Sequence, residues 1–186
     1  VLRARGNLDG AMNLFKEQEV ICRKLSNKEG LHISLGGQAV ILRDRGKLIQ
    51  AMKLARQSER LCREIGFREG LLRVLSTQAM IMKDHGDLDG AMGLLREGES
   101  IGRELGLKSG LQRILESLAL VLKSRGDMDG ALALFKEQER VCREVGSLAG
   151  LQVALGHEAQ ILYFRGDVGS AMELFLEQER ICRNLG

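Results

Sequence analysis

The stretch GKLIQAMKLARQSERLCREIG, residues 46–66, carries the reading that decides the fold. Leu48, Ala51, Met52, Ala55, Ser58, Leu61, Cys62 and Ile65 recur at spacings of three and four, so they share one face of a helix of about five turns. Glycine brackets the segment at both ends. The preceding segment repeats the logic: Leu31, Ser34, Leu35, Gln38, Ala39 and Leu42 form one helical face that ends at Arg45 and Gly46, with a cation in the last turn and glycine just past it. The first-named segment is a B helix and the preceding one an A helix.

Extending outward, the pair recurs every 40 residues without insertion or deletion. Gly6, Gly46, Gly86, Gly126 and Gly166 form one column, and Ala11, Ala51, Ala91, Ala131 and Ala171 a second. Gly30, Gly70, Gly110 and Gly150 mark another breaker, as do Gly66, Gly106, Gly146 and Gly186. The B helix opens most clearly at GDLDG, residues 86–90, where Asp87 caps free N–H groups and Asp89 adds negative charge to the first turn. Asp127 and Asp167 repeat the cap; Lys47 loses it, which weakens that junction by about 1 kcal/mol. Short links force antiparallel neighbours, and such hairpins bury their apolar faces only by stacking. The expectation is an all-α solenoid of nine helices: a B helix at 8–25, then A–B units at 31–65, 71–105, 111–145 and 151–185. Glu19 and Arg23 recur at i and i+4 in every unit and read as the solvated side of helix B.

Composition agrees with this. The chain has 186 residues, 44% apolar and 28% charged, with 23 Gly and no Pro, so glycine supplies the punctuation. A net charge of +3 is too small to argue for a nucleic-acid or membrane partner, and no apolar run approaches the ~18 residues of a membrane span. Cys22, Cys62, Cys142 and Cys182 lie at multiples of 40 with no ligand spacing, so they read as buried thiols of a reducing, cytoplasmic compartment and not as a metal site. His32, His85 and His157 fall at unrelated repeat positions. No G-x-x-x-x-G-K-[ST], G-x-S-x-G or H-E-x-x-H occurs, so neither catalysis nor a cofactor is expected.

The columns Ala39, Gly46, Leu48 and Ala51, with the large residues Phe15, Leu95, Phe135 and Phe175, resemble the tetratricopeptide repeat. The terminal Pro of that family is absent, and the 40-residue unit is similar to the arrays of LGN/Pins-type adaptors and of bacterial signalling ATPases. The resemblance implies a right-handed solenoid in which A helices line a concave wall. The wall then carries a basic rim of Arg43, Arg73, Lys83, Arg113 and Lys123 around an apolar floor of Val40, Met80 and Leu120. Asp44 and Asp84 stand beside that rim and would partly neutralise it. A second column is Gly36, Ser76, Glu116 and Gly156; a third is Gly37, Thr77, Ser117 and His157. Gln160 and Tyr163 continue the floor and rim in the last unit. The third column stands where LGN-like arrays carry an Asn ladder; Thr77 and Ser117 could still donate a hydrogen bond there, but Gly37 cannot.

The reading that follows is a non-catalytic scaffold binding a protein or peptide with acidic residues and an apolar anchor. The alternative is the sensory, autoinhibitory or self-assembling array of a larger signalling ATPase. Nucleic acid is disfavoured because the rim lacks aromatic stacking partners. Gln38, Gln78 and Glu158 occupy a half-buried column that holds Leu118 in the remaining unit, and Glu158 is expected to reach His157 or water. The opening inside an A helix, and Tyr163, Phe164 and Leu176 in the last unit, suggest a segment of a longer array, with end-to-end self-association as the alternative.

Overall fold

The computed structural model describes residues 7–185; Gly6, Gly186 and the partial A helix expected at the start lie outside the described residues. Among the described residues there are nine α-helices: α1 (Leu8–Lys24), α2 (Lys28–Asp44), α3 (Leu48–Glu64), α4 (Arg68–Asp84), α5 (Leu88–Glu104), α6 (Lys108–Ser124), α7 (Met128–Val145), α8 (Leu148–Phe164) and α9 (Val168–Leu185). The odd-numbered helices are the B segments and the even-numbered ones the A segments. The fold is an all-α solenoid of helix pairs, as the periodicity requires.

Two compact units divide the chain at Leu94 and Leu95, within α5. In the first, α2 packs on α1 and α3, α3 packs on α4, and the A helices α2 and α4 also touch. In the second, α6, α7, α8 and α9 pack in succession, and α6 touches α8. Ala39, Ala79, Ala119 and Ala159 are buried, as are Ala51, Ala91, Ala131 and Ala171. Such small residues let helix axes approach, while Leu35, Leu75, Leu115 and Leu155 fill the space between. Truncating any of these leucines to Ala would cost about 2–5 kcal/mol.

Every junction is built alike. In each, a residue past the helix end returns its N–H to a carbonyl five residues back, as Lys47 does to Leu42 at 2.9 Å and Asp127 to Leu122 at 3.0 Å. The turn needs a left-handed residue, and Gly46, Gly66, Gly86, Gly106, Gly126, Gly146 and Gly166 supply it with φ between 64° and 91°. Only the first described junction departs: Ser26 adopts φ 52°.

The column Gly30, Gly70, Gly110 and Gly150 is not a breaker. Each lies in the first turn of an A helix, which begins two residues before it. There the glycine serves close packing. A Cβ on Gly30 would meet the Cys22 sulfur at 2.5 Å, and one on Gly150 would meet Gln112 and Cys142 at 2.6 and 2.7 Å. Caps form where the sequence offers them: Asp87, Asp127 and Asp167 accept from backbone N–H groups at 2.8, 2.8 and 3.1 Å, and Asn27 caps α2. Lys47 makes no side-chain cap.

Candidate partner-binding face

The A-helix positions separate by column. Ile33, Arg73 and Arg113 are exposed. The second column turns inward: Ser76 is buried and Gly36 faces Ser58 of α3. So does the third. A Cβ on Gly37 would run into the Phe15 ring, Ser117 is buried, and His157 stacks on Phe135 with ring centroids 4.6 Å apart. Thr77 Oγ1 donates to the Arg73 carbonyl at 3.0 Å, so its hydrogen bond is spent within α4. At Gly37 and His157 this column thus packs on the Phe15 and Phe135 rings of the preceding B helices, which turns it away from a ligand. Met80 is also buried. Met80 and Ser117 therefore leave the list of ligand-facing candidates.

In the first unit the basic rim is paired. Arg43 lies 3.1 Å from Asp44 and 3.4 Å from Asp84, and Lys83 lies 3.2 Å from Asp84. Arg73 projects beyond this pairing, close enough to disfavour a charge on His32. In the second unit Ser124 and Phe164 occupy the places of Asp44 and Asp84. Lys123 Nζ donates to Gln160 Oε1 at 3.3 Å, and Gln160 also hydrogen-bonds His157. Burial, and then the Lys123 charge, hold the His157 imidazole below its ordinary value. Tyr163 and Phe164 meet edge to face at 6.0 Å and are 57% and 82% exposed. Leu120 and Leu122 lie half-buried on the cluster of Ala119, Ala131, Phe135 and Ile161 beneath them. Arg113 attracts the Glu116 carboxylate, whose pKa burial raises.

Behind this face, polar rungs join α1 to α2 and α3 to α4. Gln38 Nε2 donates to Glu19 at 2.6 Å and Gln78 Nε2 to Glu59 at 2.7 Å. The Glu–Arg pairs, including Glu59–Arg63 at 2.8 Å, are therefore not a purely solvated face. The glutamate accepts from an arginine outside and a buried glutamine inside. Glu158 stands in the glutamine position but faces Glu139 and not His157. It is 2% exposed, and its Oε1 has no hydrogen-bond partner among the described residues. Burial and then the Glu139 carboxylate push Glu158 up to about 8, against the weaker pull of Lys136 and Arg143. The sequence signal that pairs these groups is the constant separation of 19 residues.

A second buried polar group joins α2 and α3. His32 Nδ1 lies 2.7 Å from Ser58 Oγ and 3.1 Å from Cys62 Sγ. Burial lowers the imidazole to about 4 and raises the Cys62 thiol to about 11. A neutral ring beside a protonated thiol is an unreactive packing element. Cys142 donates to Gln112 at 2.8 Å in the same register. Cys22, Cys62 and Cys142 are buried as expected, whereas Cys182 on α9 is exposed. Among the described residues no His, Cys, Asp or Glu cluster could hold a metal, and no helix is long and apolar enough to cross a membrane.

Comparison with known proteins agrees with this architecture. No curated protein sequence matches the chain. Among solved structures, a Rap protein complexed with Competence and Sporulation Factor aligns at TM-score 0.87 and 15% identity, over 98% of this chain and 51% of that one. Aspartyl phosphate phosphatase F from Bacillus subtilis aligns at 0.80 and 19%, over 99% and 50%. BtubC (BKLC) from P. vanneervenii aligns at 0.71 and 16%, over 99% and 76%. The chain thus spans about half the length of the first two, and at these identities the likeness is one of fold. The model of the MalT-like TPR region matches residues 2–184, and the chain belongs to that tetratricopeptide family.

Proposed function

We propose that the chain is a non-catalytic interaction module that takes a protein or peptide segment on its A-helix face, chiefly in the second unit. One observation carries the reading: the carboxylates that neutralise the basic rim at Asp44 and Asp84 give way to Ser124 and Phe164. Lys123, which bonds Gln160 of α8, then shares this face with the exposed Tyr163 and Phe164 rings and the half-buried Leu120. A cationic rim next to exposed aromatic surface suits a segment with acidic residues and an apolar anchor. Gln160, which bonds Lys123, offers a polar contact within reach of that rim. Arg43, Arg73 and Lys83 form the weaker counterpart in the first unit. The Rap protein whose structure aligns here was solved in complex with a factor, which supports a binding role for this fold. The module is proposed to work in the cytoplasm.

The test is affinity capture from nuclease-treated lysate with the parent chain and two charge-reversed variants. Capture should fall about tenfold for Lys123→Glu with Tyr163→Ala and change little for Arg43→Glu with Lys83→Glu. Equal capture by all three would refute the assignment. Capture of the bait alone would instead favour self-association through the exposed apolar residues of α9. A regulatory array within a larger ATPase is the second reading, favoured by the match to a region of MalT-like proteins. A P-loop elsewhere in the same open reading frame decides that point.

A further inference from the structure

The repeat makes its own departures conspicuous, and they gather on α3. Lys47 and Ile49 stand where other repeats carry Asn7 and Asp9, Asp87 and Asp89, or Asp127 and Asp129. These exchanges forfeit the cap of α3 and leave Ile49 85% exposed. From Lys47 to Glu64 the chain carries five cations and two carboxylates, whereas the matching stretch of every other B helix is neutral or acidic. A local rule broken at a stability cost, with no compensating contact, marks a surface kept for another purpose.

That surface borders a pocket of about 490 Å³ between α3 and the last turns of α4. Ile49, Met52, Ile81 and Met82 form its apolar wall. Lys53, Arg56 and Arg60 line it along α3 at spacings of three and four, and among the described residues none of the three forms an ion pair. The nearby carboxylates are engaged: Glu59 accepts from Arg63 and Gln78, and Asp87 caps α5. At about 100° per residue, Met82 lies opposite Arg73 on α4, and Ile81 lies about 160° from Lys83. The pocket is therefore separate from the A-helix face discussed above.

We propose that this pocket is a second docking site, for an amphipathic helical segment of a partner protein with acidic residues along one flank. Large apolar side chains of the segment enter between Met52 and Met82, and methionine walls adapt to their shape. Carboxylates three and four residues apart on the segment then face Lys53, Arg56 and Arg60, whose spacing has the same helical period. Charge complementarity selects this occupant over a basic or neutral segment.

Fluorescence anisotropy tests it on the whole chain with labelled helical peptides of about 15 residues. One peptide carries a leucine stripe flanked by Glu, and its control carries Lys in place of Glu. The Glu peptide should bind saturably. Ile49→Asp, which restores the residue of other repeats, and Arg56→Glu with Arg60→Glu should each weaken it about tenfold. Arg73→Glu and Lys123→Glu should leave it unchanged, which separates this site from the A-helix face. Restoring the cap by Lys47→Asp serves as a folding control and should bind within about twofold of the parent. Equal binding of both peptides, no saturable binding, or loss on Lys123→Glu would overturn the proposal. So would capture of phosphatidylserine vesicles with the same dependence on Ile49 and Arg56 but no peptide binding.

Discussion

The first unit joins B to A helices with Glu–Gln rungs, Glu19 to Gln38 and Glu59 to Gln78. The second places Leu118 opposite Glu99, and Glu158 opposite Glu139. The backbone frame is the same, yet one rung is satisfied and its counterpart sets two carboxyls together. Amide against carboxylate provides a donor for a charge. Carboxyl against carboxyl provides one only while a proton remains, so the repeat tolerates Glu158 by keeping it neutral.

Exchanging these rungs should produce the largest effects. Gln78→Glu would bury an acid against Glu59 and cost about 3 kcal/mol at pH 8, with most of the loss recovered near pH 4. Glu158→Gln should do the reverse. The Glu158 carboxyl titrates at about 8 in the folded chain, against about 4.3 unfolded. Between those values the native state holds the extra proton, so stability falls as pH rises through the window. Urea midpoints from pH 4 to 9 should therefore decline in the parent and flatten in Glu158→Gln. A parallel decline in both proteins would show that the carboxyl pair is not the cause.

The rims differ in the same way. Importing the first unit's carboxylates through Ser124→Asp with Phe164→Asp should reduce captured partner about tenfold, while stability changes by less than ~0.5 kcal/mol at these exposed sites. If capture survives, neutralising the rim is not what separates the units. Restoring the missing cap by Lys47→Asp should add about 1 kcal/mol, and raise the thermal midpoint by about 2–4 °C.

Local signals made most of the fold legible. Helical period, the Gly46-type turns and the Asp caps all act within a few residues, so one unit suffices to read them. Contacts between helices were harder. Gly30 looked like punctuation because a glycine required by the Cys22 sulfur reads the same as one required by a turn. The Glu59–Arg63 pair looked complete at i and i+4, which concealed the inward bond to Gln78. Thr77 and Ser117 carry donor groups suited to a ligand, but only the structure shows that Ser117 is buried and that Thr77 spends its hydroxyl on the Arg73 carbonyl. The α3 pocket left its traces in the sequence as departures from the repeat: Lys47 for a capping residue, Ile49 where three other units carry Asp, and a surplus of cations.

The smallest expected effect tests whether the junctions are as uniform as their hydrogen bonds. Asn27 N–H reaches the Cys22 carbonyl at 2.8 Å, matching the glycine junctions, although Ser26 holds φ at 52°. A left-handed L-residue costs about 1–2 kcal/mol. Ser26→Gly removes that strain but adds unfolded-state freedom worth about 0.4–1 kcal/mol. The net gain should be about 0.5 kcal/mol, resolved as a small rise in urea midpoint with an unchanged slope. Ser26→Ala keeps the Cβ and deletes only the hydroxyl, so it should give no gain. Equal stabilisation by Ala and Gly would place the cost in the serine hydroxyl and not in the backbone, and the first junction would then differ from the others only in chemistry.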